Sequence, residues 1–185
     1  MKGEWCYFKS HFSPEECSQI LEDGLNLPEE EGKVFDSRNN SHRRSKVRFI
    51  QKEDPKFEWL FKRLWEMAEQ ANQDWFNFDI SRITFIQLAE YSEEYEGEYK
   101  QHHDVFFMNP GFHRKLSAVV QLTAPEEYSD CDLKFYNLNS YPDAEEIRNQ
   151  GTVIFFPSFE QHSATKITRG KRYSLAGWFE GPHFK

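Results

Sequence analysis

Apolar and polar residues follow two different periods along this chain, and the change falls near residue 80. In the first part, apolar positions recur every three to four residues, the period of an amphipathic helix. Ser13-Pro14-Glu15-Glu16 opens one such run. Ser13 can cap the helix, Pro14 suits its first turn and Glu16 can close a capping box. Cys17, Ile20, Leu21 and Leu25 follow at helical spacing, and Gly24 with Pro28 ends the run. Asp54-Pro55 starts a second, longer helix. Phe57, Leu60, Phe61, Leu64, Met67, Ala68 and Ala71 form its stripe, and it ends near Asn72.

After that the period shortens to two. Strands are predicted over 83–91, 99–107, 116–122, 133–136, 152–156, 164–167 and 173–179, besides short ones at 5–10 and 47–50. The polar stretch 36–46 reads as a loop. Helices first and then short strands at this spacing predict an α+β, mainly β fold. We expect a jelly roll with N-terminal helices packed on one sheet. Without repeats or a linker, residues 1–185 read as one domain, helical to about residue 80 and β from about 81 to 180.

Composition narrows the function. The chain has 185 residues with 23 Lys+Arg against 31 Asp+Glu, a net charge of -8. Nucleic acid is an unfavourable partner for that balance. No apolar run approaches the ~20 residues of a membrane span. Three scattered cysteines form no disulfide framework, and Met1–Cys6 lacks a secretory apolar run. The expected setting is cytoplasmic.

The candidate chemistry is concentrated in Tyr99-Lys100-Gln101-His102-His103-Asp104. On a strand, residues two apart share a face, so His102 and Asp104 would project together. His162, after the apolar run Thr152–Phe156 and a turn, is the best-placed third ligand. Two histidines and one carboxylate make the facial triad of non-heme Fe(II) oxygenases, with coordination positions left open. Ten residues on, Arg172, Ser174, Ala176 and Trp178 share one strand face. A planar guanidinium can grip a carboxylate through two parallel hydrogen bonds, and Ser174 can add a third. That face is a candidate anchor for a carboxylate-bearing co-substrate.

These segments, in this order, resemble the prolyl-4-hydroxylase-like Fe(II)/2-oxoglutarate dioxygenases. The resemblance rests on Tyr99–Asp104, on Gly151–Ser158 with His162, and on Arg172-Tyr173-Ser174. Phe12–Cys17 resembles the family's first helix and Arg44-Ser45 a segment before the barrel. The resemblance implies a double-stranded β-helix fold. It implies iron ligands at His102, Asp104 and His162, and a distal-carboxylate anchor at Arg172. Tyr91 and Tyr99 match tyrosines of the co-substrate pocket. It implies Fe(II), with 2-oxoglutarate and O2 as co-substrates and ascorbate as a reductant. The implied reaction hydroxylates an unactivated C–H bond and releases succinate and CO2. A carboxylate at Asp104 fills the position that halogenating relatives leave to chloride. The implied substrate is a prolyl residue in a protein or peptide.

Other readings stand beside this one. The substrate could be a free amino acid or another small molecule. A metal-binding jelly roll that only recognises a ligand, or a cupin-like enzyme indifferent to 2-oxoglutarate, would use the same triad. Neither needs an arginine ten residues after His162. The cationic segment 36–46 reads as a solvated loop or as a lid over substrate. Glu93, Glu94, Glu96 and Glu98 read as a solvated acidic turn, or as a draw for a basic peptide.

Overall fold

The computed structural model describes residues 1–33 and 42–184. Helix α1 (Pro14–Gly24) starts at Ser13. Ser13 Oγ accepts the Glu16 N–H at 3.2 Å, and Glu16 Oε2 accepts the Ser13 N–H at 3.0 Å. The capping box is therefore closed, and two backbone donors that the helix itself cannot satisfy are paired. Helix α2 (Glu58–Ala71) follows a short turn at Pro55–Phe57. Its buried residues are Leu60, Phe61, Leu64, Met67, Ala68 and Ala71, the stripe expected from the spacing. Each large apolar side chain so buried contributes roughly 1.5–3 kcal/mol. A last, wider turn over Asn72–Phe76 leads to Asn77, whose φ of 58° reverses the chain. None of the described helices is long and apolar enough to cross a membrane.

The strands, in chain order, are β1 (Cys6–Phe8), β2 (Glu30–Glu31), β3 (Arg43–Arg44), β4 (Lys46–Gln51), β5 (Phe85–Ser92) and β6 (Glu98–His102). They continue with β7 (His113–Gln121), β8 (Tyr128–Asp130), β9 (Leu133–Phe135), β10 (Val153–Pro157), β11 (His162–Ala164) and β12 (Ile167–Gly181). A short helix α3 (Ala144–Arg148) lies between β9 and β10. The larger sheet runs β1-β10-β7-β12-β5-β4-β2, with β8 paired to the start of β12. The smaller runs β3-β6-β11-β9. The pairings are antiparallel, and the two sheets form the expected mainly β jelly-roll arrangement without closing into a barrel.

Alternation divides the larger sheet into two faces. Ile86, Leu88, Leu116, Ala118, Val120, Val153, Phe155, Leu175 and Phe179 join α1 and α2 in the main core. The opposite positions carry Tyr91, Ser117, Gln121, Arg172, Ser174 and Trp178. A second, smaller core of Val47, Ala89, Tyr91, Ala164 and Ile167 joins the two sheets. Gly151, at φ +77°, lets the chain before β10 approach the segment leading into α1: a Cβ there would fall 1.8 Å from Phe12 O.

Two expectations change. The strand predicted over 99–107 stops at His102, and Asp104 lies in the irregular segment that follows. The Asp104 N–H donates to Ser158 O at 2.8 Å instead of to a neighbouring strand. The shared-face argument for His102 and Asp104 therefore does not apply, although the two side chains still meet. The loop expected over 36–46 also changes in its described part. Residues 36–41, Arg38 included, lie outside the described residues. Arg43 pairs with Tyr99 and Arg44 with Glu98 as strand β3, and Lys46 begins β4. Short edge strands need backbone partners, which polarity does not reveal.

Replacing Ser13 by Ala removes the cap. It should cost about 1 kcal/mol of stability. Urea unfolding should show a lower midpoint with an unchanged slope.

Candidate metal centre and carboxylate anchor

His102 ends β6, His162 begins β11, and the register pairs them directly. Directly opposed residues on antiparallel strands lie side by side. The two imidazole centroids are 4.3 Å apart. Asp104 reaches the pair from the irregular segment after β6. His102 Nε2 lies 3.6 Å from Asp104 Oδ1, and His162 Nε2 3.6 Å from Asp104 Oδ2. Both distances are too long for hydrogen bonds. The three candidate ligand atoms lie within 4.8 Å of one another.

Backbone carbonyls set both rings. His102 Nδ1 meets Lys100 O at 2.8 Å and His162 Nδ1 meets Glu160 O at 2.9 Å. A carbonyl only accepts, so each Nδ1 carries the proton and each Nε2 presents a lone pair. Burial and the neighbouring His162 push the His102 imidazolium pKa down to about 3, so the ring is neutral at ordinary pH. Burial opposes ionisation of Asp104, but His162, His102, Arg114 and the Ser117 hydroxyl outweigh it and hold its pKa at about 2. A neutral His102 and an ionised Asp104 are protonation states that suit binding of a divalent metal. The donor set fits Fe(II) with open positions. Ser117 Oγ donates to Asp104 Oδ2 at 2.7 Å and lies 2.9 Å from Ser158 Oγ. Tyr99 stacks on His102, centroids 3.5 Å apart and planes 10° apart.

Arg172 lies further along the inner face of β12, only 2% exposed. Its Nε and Nη2 donate to Gln121 Oε1 at 3.1 and 2.9 Å, and Nη1 to Cys131 Sγ at 3.8 Å. Among the described residues no carboxylate pairs with it. A guanidinium taken out of water without an opposite charge is costly, so the place calls for an anion. Tyr91 is the cross-strand partner of Arg172, its ring centroid 5.6 Å from the guanidinium carbon. Burial raises the Tyr91 hydroxyl above its ordinary pKa, so it stays a donor. Ser174 is buried two residues along on the same face. Its hydroxyl makes no hydrogen bond within the described residues.

Of the seven residues expected from the sequence, His102, Asp104 and His162 come together with Tyr99 stacked on His102, while Arg172 and Tyr91 meet as cross-strand partners with Ser174 two residues along. Sequence reasoning missed Ser117, Gln121, Cys131 and Arg114. Ser117 and Gln121 left a signal: they are polar residues at alternate positions of the otherwise apolar stretch 116–122. Arg43, expected in a solvated loop, is 92% buried beside Tyr99. Nothing in its local sequence marks that.

Comparison with known proteins now has a geometry to explain. The family model described as "2OG-Fe(II) oxygenase superfamily" matches residues 86–180, more than half of the chain and all of these residues from Tyr91 onward. The chain belongs to that superfamily, whose members use Fe(II) with 2-oxoglutarate and O2. A "PKHD-type hydroxylase" of Prochlorococcus marinus (strain MIT 9312) is 34% identical over 83 residues, 45% of this chain and 36% of that protein. One from Synechococcus sp. (strain CC9311) is 34% identical over 89 residues, 47% of this chain and 38% of that protein. The chain therefore matches little more than a third of these relatives' length. Among solved structures, a prolyl hydroxylase of Trichoplax adhaerens, in complex with a hypoxia inducible factor peptide fragment, superposes with TM-score 0.76 at 18% identity. That match covers 96% of this chain and 83% of the other. A Pseudomonas putida prolyl-4-hydroxylase gives TM-score 0.70 at 18% identity, over 97% and 93% of the two chains. At such identities the likeness concerns the fold.

Ser117→Ala leaves the candidate ligands in place but frees Asp104. Metal affinity, read by calorimetry with Mn(II) under conditions that keep the protein folded, should fall about 10- to 100-fold.

Proposed function

We propose that this chain is an Fe(II)- and 2-oxoglutarate-dependent hydroxylase in which His102, Asp104 and His162 hold the metal. The observation that carries the reading is a pre-oriented triad together with a buried arginine, Arg172, that has no counter-ion among the described residues. The bound metal supplies the activation of O2, coupled to decarboxylation of 2-oxoglutarate to succinate and CO2.

The chain's own residues bind, orient and exclude water. Arg172 takes the distal carboxylate of 2-oxoglutarate. Gln121 Oε1 holds two of its N–H groups and so fixes the plane of the guanidinium. Among the described residues, the remaining edge hydrogen-bonds the Cys131 thiol alone, a weak acceptor that a carboxylate readily replaces. Ser174 and Tyr91 supply neutral donors next to that edge. Tyr99 keeps the His102 ring in place by stacking on it. Trp178 and the helix-backed sheet close the inner side against solvent.

The substrate proposed is a prolyl residue in a protein or peptide. The names of the relatives and the peptide-bound structure support it. So does the apolar rim just after Asp104, where Phe107 and Met108 are 57% and 82% exposed. Ascorbate would serve as reductant. A reducing cytoplasm would suit three free cysteines, all of them buried.

Anaerobic addition of Fe(II) and 2-oxoglutarate should produce the metal-to-ligand charge-transfer absorbance of the chelate. His162→Ala should abolish the band. Arg172→Ala should raise the 2-oxoglutarate concentration needed by at least tenfold while metal affinity stays within a factor of about three. A wild-type protein that binds iron without the band would refute the 2-oxoglutarate assignment.

A further inference from the structure

We propose that Arg43 and Arg114 form a second carboxylate-binding position beside the triad, so that the substrate carries a carboxylate near the reacting carbon. This deepens the oxygenase reading above and rests on it.

Arg43 comes from β3 at the edge of the smaller sheet and is 8% exposed. Its guanidinium carbon lies 4.4 Å from the Tyr99 ring centroid, and Tyr99 in turn stacks on His102. Nε donates to Ser45 Oγ at 2.6 Å, but Nη2 is buried without a partner. Gly32 closes directly over the group, where a Cβ would fall 2.6 Å from Arg43 Nε. Arg114 comes from the other sheet. Its guanidinium carbon lies 3.9 Å from the Trp178 ring centroid, and its side chain makes no hydrogen bond or ion pair among the described residues. Both arginines act electrostatically on the Tyr99 hydroxyl, and Arg114 also on Asp104. Glu180 acts on Arg114 as well, but it is bound to Arg82 at 2.8 Å. The Trp178 Nε1–H is buried and unpaired too.

The unmet groups in this space are therefore donors. Among the described residues, Arg43 and Arg114 both act on the Tyr99 hydroxyl, Arg114 acts on Asp104, and Arg172 lies further along β12 without an ion pair. The dianion 2-oxoglutarate balances the two charges of the metal and Asp104 balances one guanidinium. Two positive charges remain. Arg43 is buried and Arg114 half-buried, and a guanidinium withdrawn from water is stabilised by an opposite charge. Among the described residues, the metal and the co-substrate leave these charges unmatched, and a carboxylate on the substrate would match them. The carboxylate could be the α-carboxylate of a free amino acid or the side chain of a residue flanking the target in a peptide.

Calorimetry on the anaerobic Fe(II)/2-oxoglutarate protein separates these sources. The probes are N-acetyl-L-proline against N-acetyl-L-prolinamide, and the blocked dipeptide Pro-Glu against Pro-Gln. At least one acidic probe should bind tenfold or more tightly than its neutral partner, and which pair discriminates identifies the source. Arg43→Gln and Arg114→Gln should each remove most of that preference, with thermal melting showing that the fold is kept. Equal affinity within both pairs, no binding of either acid, or a preference unchanged in both folded variants overturns the proposal. The chelate absorbance is recorded separately. Its formation without a charge preference removes this inference and leaves the oxygenase reading intact, whereas its failure removes the oxygenase reading. Calorimetry measures the preference in either case.

Discussion

The register of β12 is the constraint on which the rest depends. This one strand, Ile167–Gly181, pairs with β5 on one side and with β7 on the other. Its alternate residues serve opposite purposes. Leu175 and Phe179 enter the core under the helices, while Arg172, Ser174 and Trp178 face the site. A slip of one residue would exchange the two sets. It would put a guanidinium into the main core and leave the site without its anchor. The apolar residues that stabilise the fold therefore also hold the chemistry in register.

The site is assembled across that register from both sheets. His102 and His162 are neighbours on the smaller sheet, and Ser117, on the larger one, reaches across to Asp104. Each candidate ligand is thus tied to backbone or to a buried hydroxyl before any metal arrives. Such pre-organisation lowers the cost of binding, because little rotamer freedom is left to lose. The charge pattern is equally one-sided. A chain with net charge -8 places Arg43, Arg114 and Arg172 on the inner side of its sheets with no ion pair to any of them among the described residues. The excess of acid lies elsewhere on the surface, as in the exposed Glu93 and Glu94 and in Glu96, which pairs with Lys166.

Local signals were enough for much of this. The stripe of α2, the Ser13 capping box and the alternation of β12 are short-range patterns, and each formed where its spacing indicated. The spacing of His102, Asp104, His162 and Arg172 likewise pointed to one site. Asp104 shows how a local argument can bring side chains together on paper through the wrong geometry: alternation predicts a strand there, and the residue lies in irregular chain after β6.

The sequence by itself determined the helices, most of the strands and the donor types of the candidate centre. These depend on periodicity and residue chemistry within a few positions of one another. Only the tertiary structure decided that Gln121 would hold Arg172, that Ser117 would hold Asp104, and that Arg43 would be buried beside Tyr99. The partners in these three pairs are 51, 13 and 56 positions apart. Contacts of that kind are set by sheet register and by which faces are shut from water, and neither is written in the residues' immediate neighbourhood.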